Sequence, residues 1–170
     1  LGTGIAGGVS VDGVLINNGD GQSGEFGHMP IPGTIIAAHN LPILKCGCGR
    51  FGCYETYGSG PGLERLAKQL LGFNLTSHEI ISDRTHQEIS RIWEIWCDVN
   101  AALILTIVTT IDPRTIVLGG GMSKISGLIE DLESALMRVA CREFPLPSIR
   151  LGSRGETAAA LGAAYVAYHV

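Results

Sequence analysis

Apolar residues fall along this chain in three regimes. From Leu1 to about Asn18 they alternate with small and polar residues, as Ile5, Val9 and Val11, then Val14 and Ile16, on either side of Asp12-Gly13. Alternation across an Asp-Gly pair predicts the two strands of a hairpin. From about Gly19 to Gly60 Gly, Pro and polar residues dominate without a period. Such a stretch has no hydrophobic stripe to fold around and is expected to be a long functional loop. From Pro61 onward helical signals take over. Pro61 suits a first turn, and Thr76-Ser-His-Glu79 and Thr85-His-Gln-Glu88 both have capping-box form. Three helices are expected by residue 110. The third carries Ile89, Ile92, Trp93, Trp96, Val99, Ala102, Leu103 and Ile107 at helical spacing, a wide buried stripe in which the Trp pair reads as core and not as a sugar-stacking platform.

Asp112 to Met122 then form a β-branched strand running into Gly119, Gly120 and Gly121, with a helix from about Ser126. A second such unit follows: Ser148–Leu151 as strand, Gly152–Gly155 as turn, and an Ala-rich helix from Glu156 to Tyr168. Alternating β and α elements predict an α/β fold, a mixed sheet covered by helices.

With 170 residues, 45% of them hydrophobic, the chain has the length and apolar content of one ordinary domain. The formal charge of -4 offers no basic face for a phosphodiester backbone, so no nucleic acid is expected on this segment. No run approaches the roughly 18 uninterrupted apolar residues of a membrane helix, and the first residues are not a signal peptide. A soluble, cytoplasmic protein with no membrane partner is expected. Leu1 to Ser10 read as a strand and turn already in progress, so the chain is expected to be a fragment.

Five cysteines is an odd number, and Cys46, Cys48 and Cys53 crowd into one Gly-rich loop where few disulfides would be unstrained. Cys97 and Cys141 sit in apolar helical runs and read as small core hydrophobes. With His28, the three clustered thiols make a complete Cys3His set, which zinc favours and which leaves no open position for a catalytic water. The inferred Zn2+ is structural. Gly47, Gly49 and Gly52 let the backbone turn tightly enough for the sulfurs to converge. The competing reading is a Gly-rich loop with free thiols. His39, His78, His86 and His169 lack partners at ligand spacing and are expected on the surface, as are Glu64, Glu88 and Glu94.

Gly24-Glu-Phe-Gly-His28-Met, the C-x-C-G-x-x-G-C-x-E run from Cys46 to Glu55, and the triple-Gly turn after Ile116-Val-Leu together resemble the ROK family of sugar kinases and sugar-responsive repressors. The resemblance runs through the whole chain. It implies an actin-like, ribonuclease H-like ATPase lobe with a zinc-binding loop insertion and several packed helices, in which sugar and ATP meet in a cleft between two lobes. On that reading 1–18 is a phosphate-binding hairpin, 19–60 the sugar-binding and zinc loop, and 61–170 the helical and nucleotide-binding part of the C-terminal lobe, the N-terminal lobe being absent.

The resemblance also implies residue roles. Glu25, His28 and Glu55 are expected to contact sugar hydroxyls, with His28 ligating zinc through its other ring nitrogen. Gly2, Thr3 and Gly4 resemble the phosphate-facing turn, where Thr3 offers a hydroxyl to phosphate or hydrated Mg2+; Gly119, Gly120 and Gly121 resemble the turn beside adenosine. Read without the family, Glu25 and Glu55 are solvated loop acids and Gly2-Thr-Gly4 a tight hairpin entry. The family's general-base Asp belongs to an Asn-Asp segment upstream of the Gly-Thr-Gly turn, so no catalytic residue is expected in this chain, which alone should be inactive. Asp12, at the hairpin tip, and Asp20 do not replace it. The long spacer from His28 to Cys46 looks most like that of N-acetylglucosamine kinases. Fructokinase, glucokinase and a sugar-sensing repressor with DNA-binding helices further upstream are the alternatives. ROK relatives imply a homodimer, and the long stripe from Ile89 to Ile107 is expected to exceed what one small lobe covers.

Overall fold

A computed structural model describes residues 1–16, 22–140, 143–154 and 157–169. Asp20, Cys141, Gly155, Glu156 and the side chain of His169 lie outside the described residues. The expected hairpin is present but short: β1 (Ser10–Val11) pairs antiparallel with β2 (Val14–Leu15), with Val11 opposite Val14. Asp12 and Gly13 both take positive φ, 51° and 80°, the mirror-image turn whose twist suits a two-residue hairpin.

The stretch from 19 to 60 is less irregular than its composition predicts. It holds α1 (Gly33–His39) and the single turn α2 (Glu55–Gly58). Seven residues are too few to show a period, and α1 buries only Ile35; its order comes from packing on a later helix. Next come α3 (Gly60–Leu71), whose N-cap Ser59 accepts from the Gly62 amide, and α4 (Ser77–Ser82). The Thr76–Glu79 capping box forms with both reciprocal bonds. The second one does not. The next helix, α5 (Gln87–Ile111), starts a residue later than the pattern implies, with His86 at its N-cap and no side-chain cap bond, so Thr85 falls out of register. Glu88 and Glu94 are on the surface as expected, whereas the Glu64 carboxylate accepts from the Ser77 amide and caps α4.

α5 is the axis of the lobe. Trp93 and Trp96 stack at 4.9 Å and 15° inside the core, and both indole N–H groups are satisfied, by Asp131 and by the Ser59 carbonyl. Cys97 is buried beside them. By length and composition this helix is apolar enough to cross a membrane, although polar residues interrupt its apolar run as the sequence showed, and most of its apolar residues are buried against α1, α2, α3 and the later α6 (Leu128–Val139). Toward its C-terminal end α5 is less covered: Leu105, Ile107 and Ile111 are half-buried.

The enclosed face carries a polar tie that the sequence did not show. His39 is not a surface residue: its Nε2 lies 3.0 Å from Asp98, whose other oxygen accepts from Arg138 at 2.6 Å, and its Nδ1 lies 3.1 Å from Arg91. His78 and His86 are exposed as expected. The Asp98 carboxylate is nearly buried but the Arg138 guanidinium is half-exposed, so solvent screens their pair and His39 still faces the carboxylate when Arg138 is gone. Arg138→Ala is therefore expected to destabilise the protein by about 1 kcal/mol, read as a lower urea midpoint at unchanged slope. An unmoved midpoint would contradict the tie.

β3 (Thr115–Leu118) and β4 (Ser148–Leu151) pair in parallel, Thr115 opposite Ser148 and Leu118 opposite Leu151, around α6 as the crossover. They do not join the hairpin in one mixed sheet. An apolar cavity of about 350 Å³, lined by Gly7, Val9, Leu103, Ile107, Ile116 and others, separates the two pairs, and no described strand lies in it. The chain closes with α7 (Ala158–His169), whose described side chains are exposed.

Candidate functional site

The two glycine turns meet. The Leu1 amino group donates to the Gly119 carbonyl at 2.9 Å, the Met122 amide donates to the Leu1 carbonyl at 3.1 Å, and the Gly60 amide donates to the Gly2 carbonyl at 2.8 Å. Beside them opens a cleft of about 460 Å³. Its wall includes Gly4, Glu25, Glu55, Gly119, Gly120 and the first residues of α7, Ala158 and Ala159. Gly2, Thr3, Gly121 and His28 are not on that wall; Thr3 is exposed and Gly121 packs near Gly2. Ala158 and Ala159 escaped the sequence reading because an Ala-rich run carries no chemical signal.

Glu55 reaches the cleft because it opens α2, two residues after Cys53. Its Oε2 accepts from the Ile5 amide at 3.0 Å, and a Cβ on Gly4 would come within 2.6 Å of that oxygen. A side chain at position 4 would therefore push the Glu55 carboxylate from its place on the Ile5 amide. Glu25, half-exposed, places its carboxylate 3.7 Å from His28 Nε2.

The other ring nitrogen of His28 points the opposite way, 3.7 Å from Cys46 Sγ. Cys48 and Cys53 Sγ are also 3.7 Å apart, and the ligand atoms of His28, Cys46, Cys48 and Cys53 all lie within 4.8 Å of one another. Zinc bonds to sulfur of about 2.3 Å in a tetrahedron require sulfurs about 3.8 Å apart, a spacing the Cys48–Cys53 pair already has, and the four groups are near enough to close on one such ion with small side-chain adjustments. Backbone pairing brings His28 to cysteines far along the chain: the Ile31 amide donates to Gly52, the Tyr54 amide to Met29, and Arg50 Nη2 to the His28 carbonyl. Gly49 and Gly52 take φ of 92° and 71°, the left-handed turns that close the knuckle.

As free thiols the cysteines are in conflict. The Arg50 backbone amide and guanidinium bring Cys48 down to about 6, while burial, with bonds to Cys48 and Cys46, pushes Cys53 up to about 12. A divalent cation resolves that opposition by stabilising all three thiolates.

The sequence matches the ROK family over residues 1–170. The chain belongs to the ROK family. Among curated relatives, the ROK chain is 32% identical over 170 residues to the N-acetylgalactosamine kinase of Shewanella sp. (strain ANA-3), covering 99% of this chain and 55% of that protein. It is 34% identical over 170 residues to an N-acetyl-D-glucosamine kinase of Histophilus somni (strain 129Pt), covering 96% and 55%. It thus spans about half the length of the curated relatives it matches. The crystal structure of a ROK family glucokinase from Streptomyces griseus, in complex with glucose and AMPPNP, superposes with a TM-score of 0.82 at 26% identity, over 100% of this chain and 59% of that one. The fold is that of a lobe of the actin-like ROK sugar kinases.

Proposed function

We propose that the ROK protein containing this lobe transfers the γ-phosphoryl group of MgATP to a hydroxyl of a hexose or N-acetylhexosamine, N-acetylglucosamine first, yielding sugar phosphate, ADP and a proton. The observation that carries this is a single cleft wall holding both kinds of contact, Glu25 and Glu55 for hydroxyls and Gly4, Gly119 and Gly120 for the nucleotide. A fixed carboxylate accepts from sugar hydroxyls, and side-chain-free turns let backbone N–H groups reach phosphate oxygens. Thr3, exposed beside them, is available to phosphate or to the hydrated Mg2+ that ATP brings.

In this reading a structural Zn2+ held by His28, Cys46, Cys48 and Cys53 fixes the ring of His28, leaving Nε2 for Glu25 and a sugar hydroxyl. In this reading the general base is an Asp upstream of the Gly2-Thr-Gly4 turn, outside this chain, so the lobe alone is expected not to turn over. N-acetylglucosamine is placed first because relatives about a third identical carry N-acetylhexosamine names. The protein is assigned to the cytoplasm, where ATP is available, and to a homodimer formed through this lobe.

The test is ADP release by the full-length protein with N-acetylglucosamine, N-acetylgalactosamine, glucose and fructose. The reading expects the highest kcat/KM for an N-acetylhexosamine. Tight sugar binding without any ADP release would favour the sugar-sensing repressor and overturn the kinase.

A further inference from the structure

Tyr57 is fully buried on α2, and both capacities of its hydroxyl are used on one short stretch of backbone. It donates to the Pro42 carbonyl at 2.8 Å and accepts from the Leu44 amide at 2.9 Å. Leu44 in turn accepts from the Gly52 amide at 2.9 Å, and two residues on, the Cys46 amide donates to Arg50 at 2.8 Å. The phenol therefore braces the backbone as it enters the cysteine knuckle. It belongs to the same helical turn that opens with Glu55 and whose preceding residue, Tyr54, ties its amide to Met29 beside His28. Tyr57 is neither one of the four ligands nor part of the cleft wall.

We infer that Tyr57 is a positioning residue whose hydroxyl pre-forms the Cys46 side of the metal cluster, so that one turn of helix sets both the cluster and Glu55. This rests on the zinc reading of the cluster. A chain segment poor in core would otherwise have to be ordered when the ion binds, and bracing it beforehand slows the ion's escape.

The experiment is zinc transfer from the full-length protein to a chromogenic chelator. Tyr57→Phe keeps the ring and removes both bonds, and is expected to release zinc about tenfold faster or more, and to raise the sugar KM by a larger factor than it lowers kcat. Tyr54→Phe is the control: that equally buried hydroxyl bonds Thr106 on α5 at 3.0 Å, away from the loop, so its loss should lower Tm but leave zinc release unchanged. Equal release rates in the two variants, or no change in Tyr57→Phe while the wild type holds zinc, would overturn the inference alone. A wild type without zinc would overturn the metal reading and the inference together. Should Tyr57→Phe not fold, hydrogen exchange at the Leu44 amide of wild-type protein stripped of zinc decides. Persistent protection supports a brace that precedes the metal, and free exchange refutes it.

Discussion

Cys53→Ser is expected to empty the metal site and release the loop around it. Cys53 is 1% exposed and its backbone pairs in a bridge with Pro30, so the residue is both one of the four proposed ligands and the point where the cysteine knuckle meets the segment after His28. A serine hydroxyl keeps its proton at neutral pH and is a poor zinc ligand, so the remaining three groups are left as an incomplete set. Binding free energy at a closed zinc site is folding free energy, about 10 kcal/mol or more in small zinc modules, and a loop with so few buried side chains has little to replace it. Elemental analysis should fall from about one zinc per chain to a small fraction. Limited proteolysis should open the segment from Ile43 to Tyr54, and the sugar KM of the full-length variant should rise at least about tenfold. Full zinc content in the variant, or a wild type that folds without zinc or with a disulfide among these cysteines, would defeat the metal reading.

Glu55→Gln separates sugar recognition from loop architecture. The amide side chain still accepts from the Ile5 N–H, so fold and zinc should survive, but the charged acceptor on the cleft wall is gone. Losing a hydrogen bond to a charged group costs about 1.5–3 kcal/mol, so kcat/KM should fall roughly ten- to a hundredfold, mostly through KM. kcat itself should fall less than on loss of the upstream Asp. A solvated loop acid predicts no change, and steady-state kinetics with the best sugar decides between the two.

How much of this was legible in the sequence depended on whether a local pattern carried the answer. The Thr76 box, Ser148–Leu151 and the α5 stripe are short-range codes, and each appears where its pattern lies. Thr85 shows the limit of such a code: the same four-residue form failed when the helix began one residue later. His39 was misplaced because its partners, Asp98 and Arg91, are more than fifty residues away and only packing brings them together. α1 was missed for the same reason, since its order comes from α5 and not from its own period. The candidate metal ligands could be named because chemistry, not packing, restricts which residues can serve, and the structure brings the four within 4.8 Å. Of the turns expected to meet the nucleotide, Gly119 and Gly120 line the cleft with Gly4, while Gly2, Thr3 and Gly121 stand behind or beside it. The single mixed sheet is not seen because the β–α–β alternation covers only β3 and β4, which do pair, and carries no signal for where the β1–β2 hairpin lies.

The most direct test of the central claim is to watch the phosphorus. Full-length protein is incubated with ATP, Mg2+ and N-acetylglucosamine and followed by 31P resonance. The account predicts that the γ-phosphate signal of ATP is replaced in equal amount by that of a sugar phosphomonoester, with ADP appearing alongside and inorganic phosphate absent. ATP left intact with every hexose and N-acetylhexosamine, or hydrolysed to inorganic phosphate whether or not sugar is present, would contradict it.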